Sequence, residues 1–234
     1  MPTILVTGAR QGLGLELTRQ YAGAGWSVIA TCLQPETAAD LKAVTGAVQI
    51  HDLDNDNHAA VDALAARLRG TPIDVLYNNA GIKGGEVQDF GSYDYEMWMG
   101  VLRTNLLGPM KMAEAFVEHV AASDRKLIVN MASGHASMAW NVAEPPGPPP
   151  GKLLYYRTSK AGLNMVTRNL ANELRPRGIT VLSLAPGHVK PEMGGADAPL
   201  DIVPSVVGIR RVIDATTSAD SGRFLLYDGR TYAW

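Results

Sequence analysis

Short runs of β-branched and aliphatic residues alternate with longer stretches of helical period along the chain, and this alternation restricts the topology more than any other feature. Apolar runs at 3–7, 27–31, 47–50, 73–77, 126–130, 179–183 and 223–226 are predicted strands. Between them lie helical patterns at 12–24, where Leu13, Leu17, Gln20 and Tyr21 recur at helical spacing, and near 36–44, 57–69, 93–122, 154–174 and 202–216. About seven strands separated by helices read as βαβ units, hence an α/β fold with a doubly wound parallel sheet covered on both faces. Ligands of such sheets bind beyond the carboxyl ends of the strands, so chemistry is sought in the residues that follow each strand.

The 234 residues are expected to form one domain, 1–234, because α/β folds reach this size undivided. With 21 Lys and Arg against 23 Asp and Glu, the formal charge of −2 provides no field to draw in nucleic acid or an anionic membrane. Cys32 is the only cysteine, which excludes an intrachain disulfide or a multi-cysteine metal site and points to a reduced, cytoplasmic setting. The first apolar run stops at Thr7-Gly8, too short for a signal-peptide core, and no apolar stretch approaches the ~18 residues of a membrane span. No metal is expected. The five histidines lack ligand spacing, and a calcium loop starting at Asp52 would meet Asn57 and Ala63 where Gly and Glu are required. The segment Glu144-Pro-Pro-Gly-Pro-Pro-Pro-Gly151 holds five of the 14 prolines and is a predicted stiff, exposed loop beside a binding site. A proline-rich ligand for another protein's groove is the alternative.

Thr7-Gly-Ala-Arg-Gln-Gly-Leu-Gly14 lies where the first strand turns into the first helix. Gly8 suits the tight turn, Gly12 lets the backbone approach a phosphate and Gly14 lets helix pack on strand, while N–H groups at the helix start face the anion. With Gln11 and Leu13 completing the loop, the pattern reads as a Rossmann-type dinucleotide site; the alternative is a glycine turn that binds nothing. NAD is usually selected by an acidic side chain at the end of the second strand, but Cys32 and Leu33 stand there. Arg10 offers a planar fork to a 2′-phosphate, so NADP(H) is favoured over NAD(H); a solvated surface arginine is the other reading. After the third strand, Asp52 is the candidate acceptor for an adenine amino group, next to Leu53, and Asp54 and Asp56 suit a helix start.

Tyr156-Arg-Thr-Ser-Lys160 places a phenol and an ammonium one helical turn apart, where the cation favours phenolate and the tyrosine can exchange a proton with a carbonyl or alcohol oxygen. Tyr155 lacks the lysine four residues on and is expected to pack or line a pocket wall. Ser133 places a hydroxyl at the end of the fifth strand, with Ser137 a less well placed rival. Asn78-Asn-Ala-Gly81 ends the fourth strand, its amides suited to tying strands together and Gly81 to close approach of a ligand. Asn105 is a polar residue within the long helical stretch, near Gly108. Pro186-Gly-His-Val189 ends the sixth strand and opens a loop through Gly194-Gly-Ala-Asp-Ala-Pro199.

This ordered set resembles the short-chain dehydrogenase/reductases across essentially the whole chain. Within that family, residues 156–164, Glu192-Met-Gly-Gly195 and the stretch from Ser221 to Trp234 resemble the branch of C-factor and sniffer-type carbonyl reductases. The resemblance implies a nicotinamide cofactor contacted by the glycine loop, Cys32, Leu33, Asp52, Leu53, Asn79, Ala80, Gly81, Pro186, Gly187 and Val189. It implies Tyr156 as general acid/base, Lys160 lowering its pKa and holding the nicotinamide ribose, Ser133 donating to the substrate oxygen, and Asn105 holding a proton-relay water. His135, Met138, Trp140, Tyr155, His188 and Met193, in the segments 134–154 and 188–204, are candidate pocket residues. Their mixed apolar, aromatic and polar character suits a small cyclic or aromatic carbonyl or alcohol.

Several positions depart from the branch. Leu33 stands where a basic residue is usual, so the NADP preference rests mostly on Arg10. Pro191 replaces a frequent Thr, His188 a common Trp, and the 23 residues from Ser133 to Tyr156 exceed the usual separation because the proline-rich loop intervenes, which implies an altered substrate entrance. The expected activity is hydride transfer between nicotinamide and a carbonyl or alcohol carbon. A dinucleotide-binding regulator of C-factor type without turnover is the alternative, and a non-redox lyase or isomerase using the same tyrosine and lysine is a third reading. The stretches near 93–122 and 154–174 carry more apolar residues than one sheet face buries, so a homodimer or homotetramer through them is expected.

Overall fold

The computed structural model describes residues 1–140, 153–190 and 198–234. The proline-rich segment 144–151, Pro191, Met193, Gly194 and Gly195 lie outside the described residues. Seven strands, β1 (Thr3–Thr7), β2 (Ser27–Cys32), β3 (Val48–Asp52), β4 (Val75–Asn78), β5 (Leu127–Met131), β6 (Thr180–Ala185) and β7 (Phe224–Leu226), form one sheet in the order β3-β2-β1-β4-β5-β6-β7. Every pairing is parallel. Helices α1 (Gly12–Gly23), α2 (Ala39–Lys42), α3 (His58–Arg67), α4 (Tyr95–Leu102), α5 (Gly108–Ala121), α6 (Leu154–Glu173) and α7 (Ile202–Ala215) connect them. The predicted helix near 36–44 is split, with a 3₁₀ turn at Pro35–Thr37 ahead of the single turn of α2.

Side chains of a strand point alternately to its two faces, and a sheet buried on both faces needs both sets apolar. Ile4 and Val6 of β1 accordingly join α1 and α7 through Leu17, Tyr21, Val206 and Ile209. Leu5 joins the opposite layer with Leu64 of α3, Phe116 of α5 and Leu170 of α6. No helix among the described residues is long and apolar enough to cross a membrane.

Two local readings are corrected. Asp54 and Asp56 do not start α3: Asn57 is the cap, its Oδ1 accepting from the Ala60 N–H at 3.1 Å, while Asp54 Oδ1 accepts from the Asp56 N–H in the preceding turn. The stretch 93–122 is not one regular helix but α4 and α5 joined by a π turn at Arg103–Leu107. Its apolar excess is partly consumed within the molecule, because Trp98 of α4 stacks on Tyr155 of α6 with ring centroids 5.3 Å apart, while Met112 and Phe116 of α5 face the sheet layer.

Candidate active site

The strand order reverses between β1 and β4, so the loops leaving these neighbours diverge and open a crevice at their carboxyl ends. The junction is tightly drawn. Thr7 Oγ1 accepts from the N–H groups of Asn79 and Ala80, both at 3.0 Å, and Asn79 Nδ2 donates to the Thr7 and Gly8 carbonyls at 2.9 and 3.2 Å. Gly8 stands at φ +66°, where an added Cβ would lie 2.8 Å from Ala80 Cα; a Cβ on Gly14 would overlap the Gly8 carbonyl oxygen and lie 2.6 Å from Asn79 Nδ2. This wall is backbone at close approach, which suits a diphosphate cradled by N–H groups at the start of α1.

A cavity of about 1080 Å³ runs from this wall across the carboxyl ends of the strands. Its phosphate end is lined by Gly8, Arg10, Gln11, Leu13 and Gly14, then by Cys32, Leu33 and Leu53. Gly12, at φ +54°, forms the turn without lining the cavity. Burial pushes the Cys32 thiol up, and the next influence on it is the Arg10 guanidinium, which faces the end of β2. Asp52 is a second exception at this end. It does not line the cavity, because its Oδ1 accepts from the Gln34 N–H at 3.3 Å; Leu53, Asp54 and Asn55 occupy the wall after β3 instead.

Asn79, Ala80, Gly81, Pro186, Gly187 and Val189 line the middle, with Ser133, Tyr156 and Lys160 beside them. Ser133, whose Oγ accepts from the His135 N–H at 3.2 Å, shares this wall with the Tyr156 phenol and tends to lower its pKa. Lys160, 2% exposed, donates from Nζ to the Met131 carbonyl at 2.7 Å and lies 5.7 Å from the centre of the Tyr156 ring. Burial lowers its pKa to about 8. The phenol of Tyr156 is pushed up by burial, partly offset by Ser133.

Asn105 is fully buried and does not line the cavity. Its Oδ1 accepts from the Ile82 N–H at 2.8 Å, and Nδ2 donates to the Ile82 carbonyl at 2.8 Å and to Ser159 Oγ at 2.9 Å. Ser159 Oγ in turn donates to the Tyr156 carbonyl at 2.7 Å. Both amide hydrogens are bonded to protein partners, and the side chain fastens the loop after β4 to the turn of α6 that carries Tyr156. The amides of β4 tie strands as expected, Asn78 Nδ2 donating to Asn130 Oδ1 at 2.9 Å.

Among the candidate pocket residues, His135, Trp140 and His188 line the cavity. Tyr155 does not: it is fully buried against Trp98, and its hydroxyl accepts from the Asp94 N–H at 2.7 Å. Neither does Met138, which is 74% exposed at the surface. Ser137 is buried away from the cavity, its Oγ directed at the Trp234 carbonyl. Missed by the sequence reading is the wall formed by Tyr227, Arg230, Thr231 and Tyr232, where Tyr232 packs on Phe224 and Trp140 with centroids 5.0 and 5.7 Å away. The turn signal Asp228-Gly229 after β7, which folds this segment back, was the available clue.

The reversed strand order, the glycine wall and the Ser-Tyr-Lys cluster on one cavity wall fit a doubly wound dinucleotide-binding oxidoreductase. The chain matches the short chain dehydrogenase family over residues 2–199 and belongs to that family, whose members are NAD(P)-dependent. It is 36% identical over 172 residues to the C-signal protein of Myxococcus xanthus, covering 74% of this chain and 99% of that one. Among solved structures it is similar to the carbonyl reductase Sniffer of D. melanogaster, with 32% identity, a TM-score of 0.89 and full coverage of both chains. It is also similar to an NADPH-bound carbonyl reductase from chicken fatty liver, with 29% identity, a TM-score of 0.89 and coverage of 100% and 99%.

Proposed function

We propose that the chain is an NADP(H)-dependent carbonyl reductase of small, cyclic or aromatic substrates, with the meeting of Ser133, Tyr156 and Lys160 on one cavity wall as the observation that carries the reading. A nicotinamide dinucleotide held along Gly8, Arg10, Gln11, Gly14, Asn79 and Gly187 would supply hydride chemistry at this wall. Ser133 donates to the substrate oxygen and fixes it beside the phenol. Tyr156 delivers its proton to that oxygen as negative charge develops there. Burial keeps the phenol protonated at neutral pH, which favours the reductive direction. Lys160, still charged at neutral pH, opposes any further rise of the phenol pKa. A regulator without turnover is not favoured, because the proton-transfer groups stand assembled in one cavity. Exposed apolar side chains on α4 and α6, Tyr95, Met97, Met99 and Met165, support self-association as a homodimer or homotetramer.

Oxidation of NADPH in the presence of a panel of aromatic and cyclic aldehydes and ketones tests the activity. The absence of a carboxylate beside Cys32 and the position of Arg10 support NADP(H) over NAD(H). NADPH is expected to bind more tightly than NADH, and Arg10→Ala to weaken NADPH about tenfold or more with little effect on NADH, the scale of lost charge-assisted hydrogen bonds. Equal affinities in the parent protein, measured by fluorescence titration, would remove Arg10 from this role.

The reduction rate is expected to depend on pH through Lys160. Below about pH 8 the ammonium is charged and aids proton donation by Tyr156; above it the charge is lost and the phenol becomes a weaker acid. A profile of kcat/KM should therefore be flat on the acid side and fall as pH rises through about 8. A rate that stays level across that region would separate Lys160 from the proton transfer.

A further inference from the structure

Gly134, the residue after Ser133, does not have the positive φ that favours glycine elsewhere in the chain, so its backbone would accept any residue. The space beside it would not. An added Cβ would lie 2.6 Å from the Tyr232 hydroxyl oxygen and 3.2 Å from the ring carbon that bears it, and its three nearest contacts all belong to Tyr232. Position 134 is therefore shaped around the end of the Tyr232 side chain, and both residues line the cavity beside Ser133.

Tyr232 is held firmly. Its N–H donates to the Phe224 carbonyl at 2.8 Å, and its ring packs on Phe224 and Trp140. Just ahead of it, Thr231 bridges to Leu225 and accepts at Oγ1 from Arg223 at 2.6 Å, while Arg230 Nε donates to Asp228 at 2.8 Å and closes the turn after β7. The hydroxyl is the exception. It has no hydrogen-bond partner among the described residues and is not one of the sealed, unpartnered polar atoms, so it stands open to the cavity. Tyr155, by contrast, accepts from the Asp94 N–H, and Tyr227 on the same wall lies over Gly187, after β6. Burial pushes the Tyr232 phenol up, so it remains a donor at neutral pH. A donor fixed in this way loses little freedom when a ligand meets it.

We infer that the Tyr232 hydroxyl is a second hydrogen-bond donor to the substrate, and that the site takes aromatic or cyclic carbonyl compounds carrying a further acceptor oxygen: an ether, a hydroxyl or a second carbonyl. The inference rests on the reductase reading above and names the substrate class of that site. With the reacting carbonyl between Ser133 and Tyr156, the second oxygen lies on the side of Gly134 and Trp140. A substrate with carbon in place of that oxygen leaves the phenol without a partner, and the site discriminates against it.

The ortho, meta and para methoxybenzaldehydes, each paired with the ethylbenzaldehyde of the same substitution, test this. The two groups are alike in size and differ in the acceptor oxygen. With NADPH, the methoxy-to-ethyl ratio of kcat/KM for at least one isomer is expected to fall about fivefold in Tyr232→Phe, the scale of one neutral hydrogen bond. The intrinsic reactivity of each aldehyde is the same in both proteins and cancels. Gly134→Ala, which crowds the same oxygen, should lower that ratio as well. A ratio held within about twofold for all three isomers in Tyr232→Phe would overturn the contact while leaving the reductase reading intact. Reduction of none of these aldehydes, nor of any in the wider carbonyl panel, would count against the reductase reading, and calorimetric titration of the same aldehydes into the NADPH-loaded protein then decides the contact separately. A methoxy-to-ethyl affinity ratio lowered about fivefold by Tyr232→Phe supports it, and an unchanged ratio for all three isomers overturns it.

Discussion

Replacing Tyr156 by Phe is expected to lower kcat for carbonyl reduction by about 10³-fold, within the range a positioned general acid contributes, while the protein still folds and binds NADPH. The substitution removes one oxygen from a ring that is 7% exposed, so the packing of α6 against the cavity wall is retained. Ser133 keeps its place on the cavity wall. The orienting contact to the substrate oxygen would survive and the proton source would not, so KM should change much less than kcat. Turnover within about tenfold of the parent would mean that the proton comes from elsewhere and would remove Tyr156 from the mechanism.

The second large effect concerns stability. Gly14→Ala places a methyl group against the Gly8 carbonyl oxygen and Asn79 Nδ2, both held by the hydrogen bonds that join β1 to β4. Backbone cannot step aside as the end of a flexible side chain can, so α1 must shift off the sheet. Overpacking of this kind costs about 1–3 kcal/mol or more, and for a chain of this size each kcal/mol lowers Tm by ~2–4 °C. A fall of about 5–10 °C is expected in a thermal melt, with weakened dinucleotide binding. Gly23→Ala supplies the contrast on the same helix, since nothing lies within 4 Å of its added Cβ. There the usual gain of roughly 0.5–1 kcal/mol from replacing a helical glycine should appear as a small rise in Tm. If both variants melt with the parent, the close approach at Gly14 is not a constraint on the fold.

Much of the framework could be read from the chain because its signals are local. Each strand is a short apolar run flanked by polar or glycine residues, and the central ones are buried on both faces, so neither face needed a pattern to be decoded. The glycine loop and the Tyr156 to Lys160 spacing were legible for the same reason, being contained within a single turn or helix. What escaped depends on contacts between distant segments. Asp52 and Asp54 are chemically alike in the sequence, and only the path of residues 33–34 decides that the first accepts from the Gln34 N–H while the second faces the cavity. Tyr155 and Tyr156 are adjacent, yet about 100° of helical rotation sends one against Trp98 and the other into the cavity. Tyr232 reaches the cavity through its packing on Phe224 and Trp140, a partnership that no spacing encodes.

The π turn at Arg103–Leu107 makes chain length, as well as residue identity, a functional variable in this part of the molecule. A loop on the surface absorbs an added or lost residue, but a helix fixed at both ends transmits the change as a rotation of about 100°. Here Trp98 anchors the first half on Tyr155 and Phe116 anchors the second in the sheet layer. Deleting one residue between these anchors would turn the side chain of Asn105 away from Ile82 and Ser159, with every chemical group of the site still encoded.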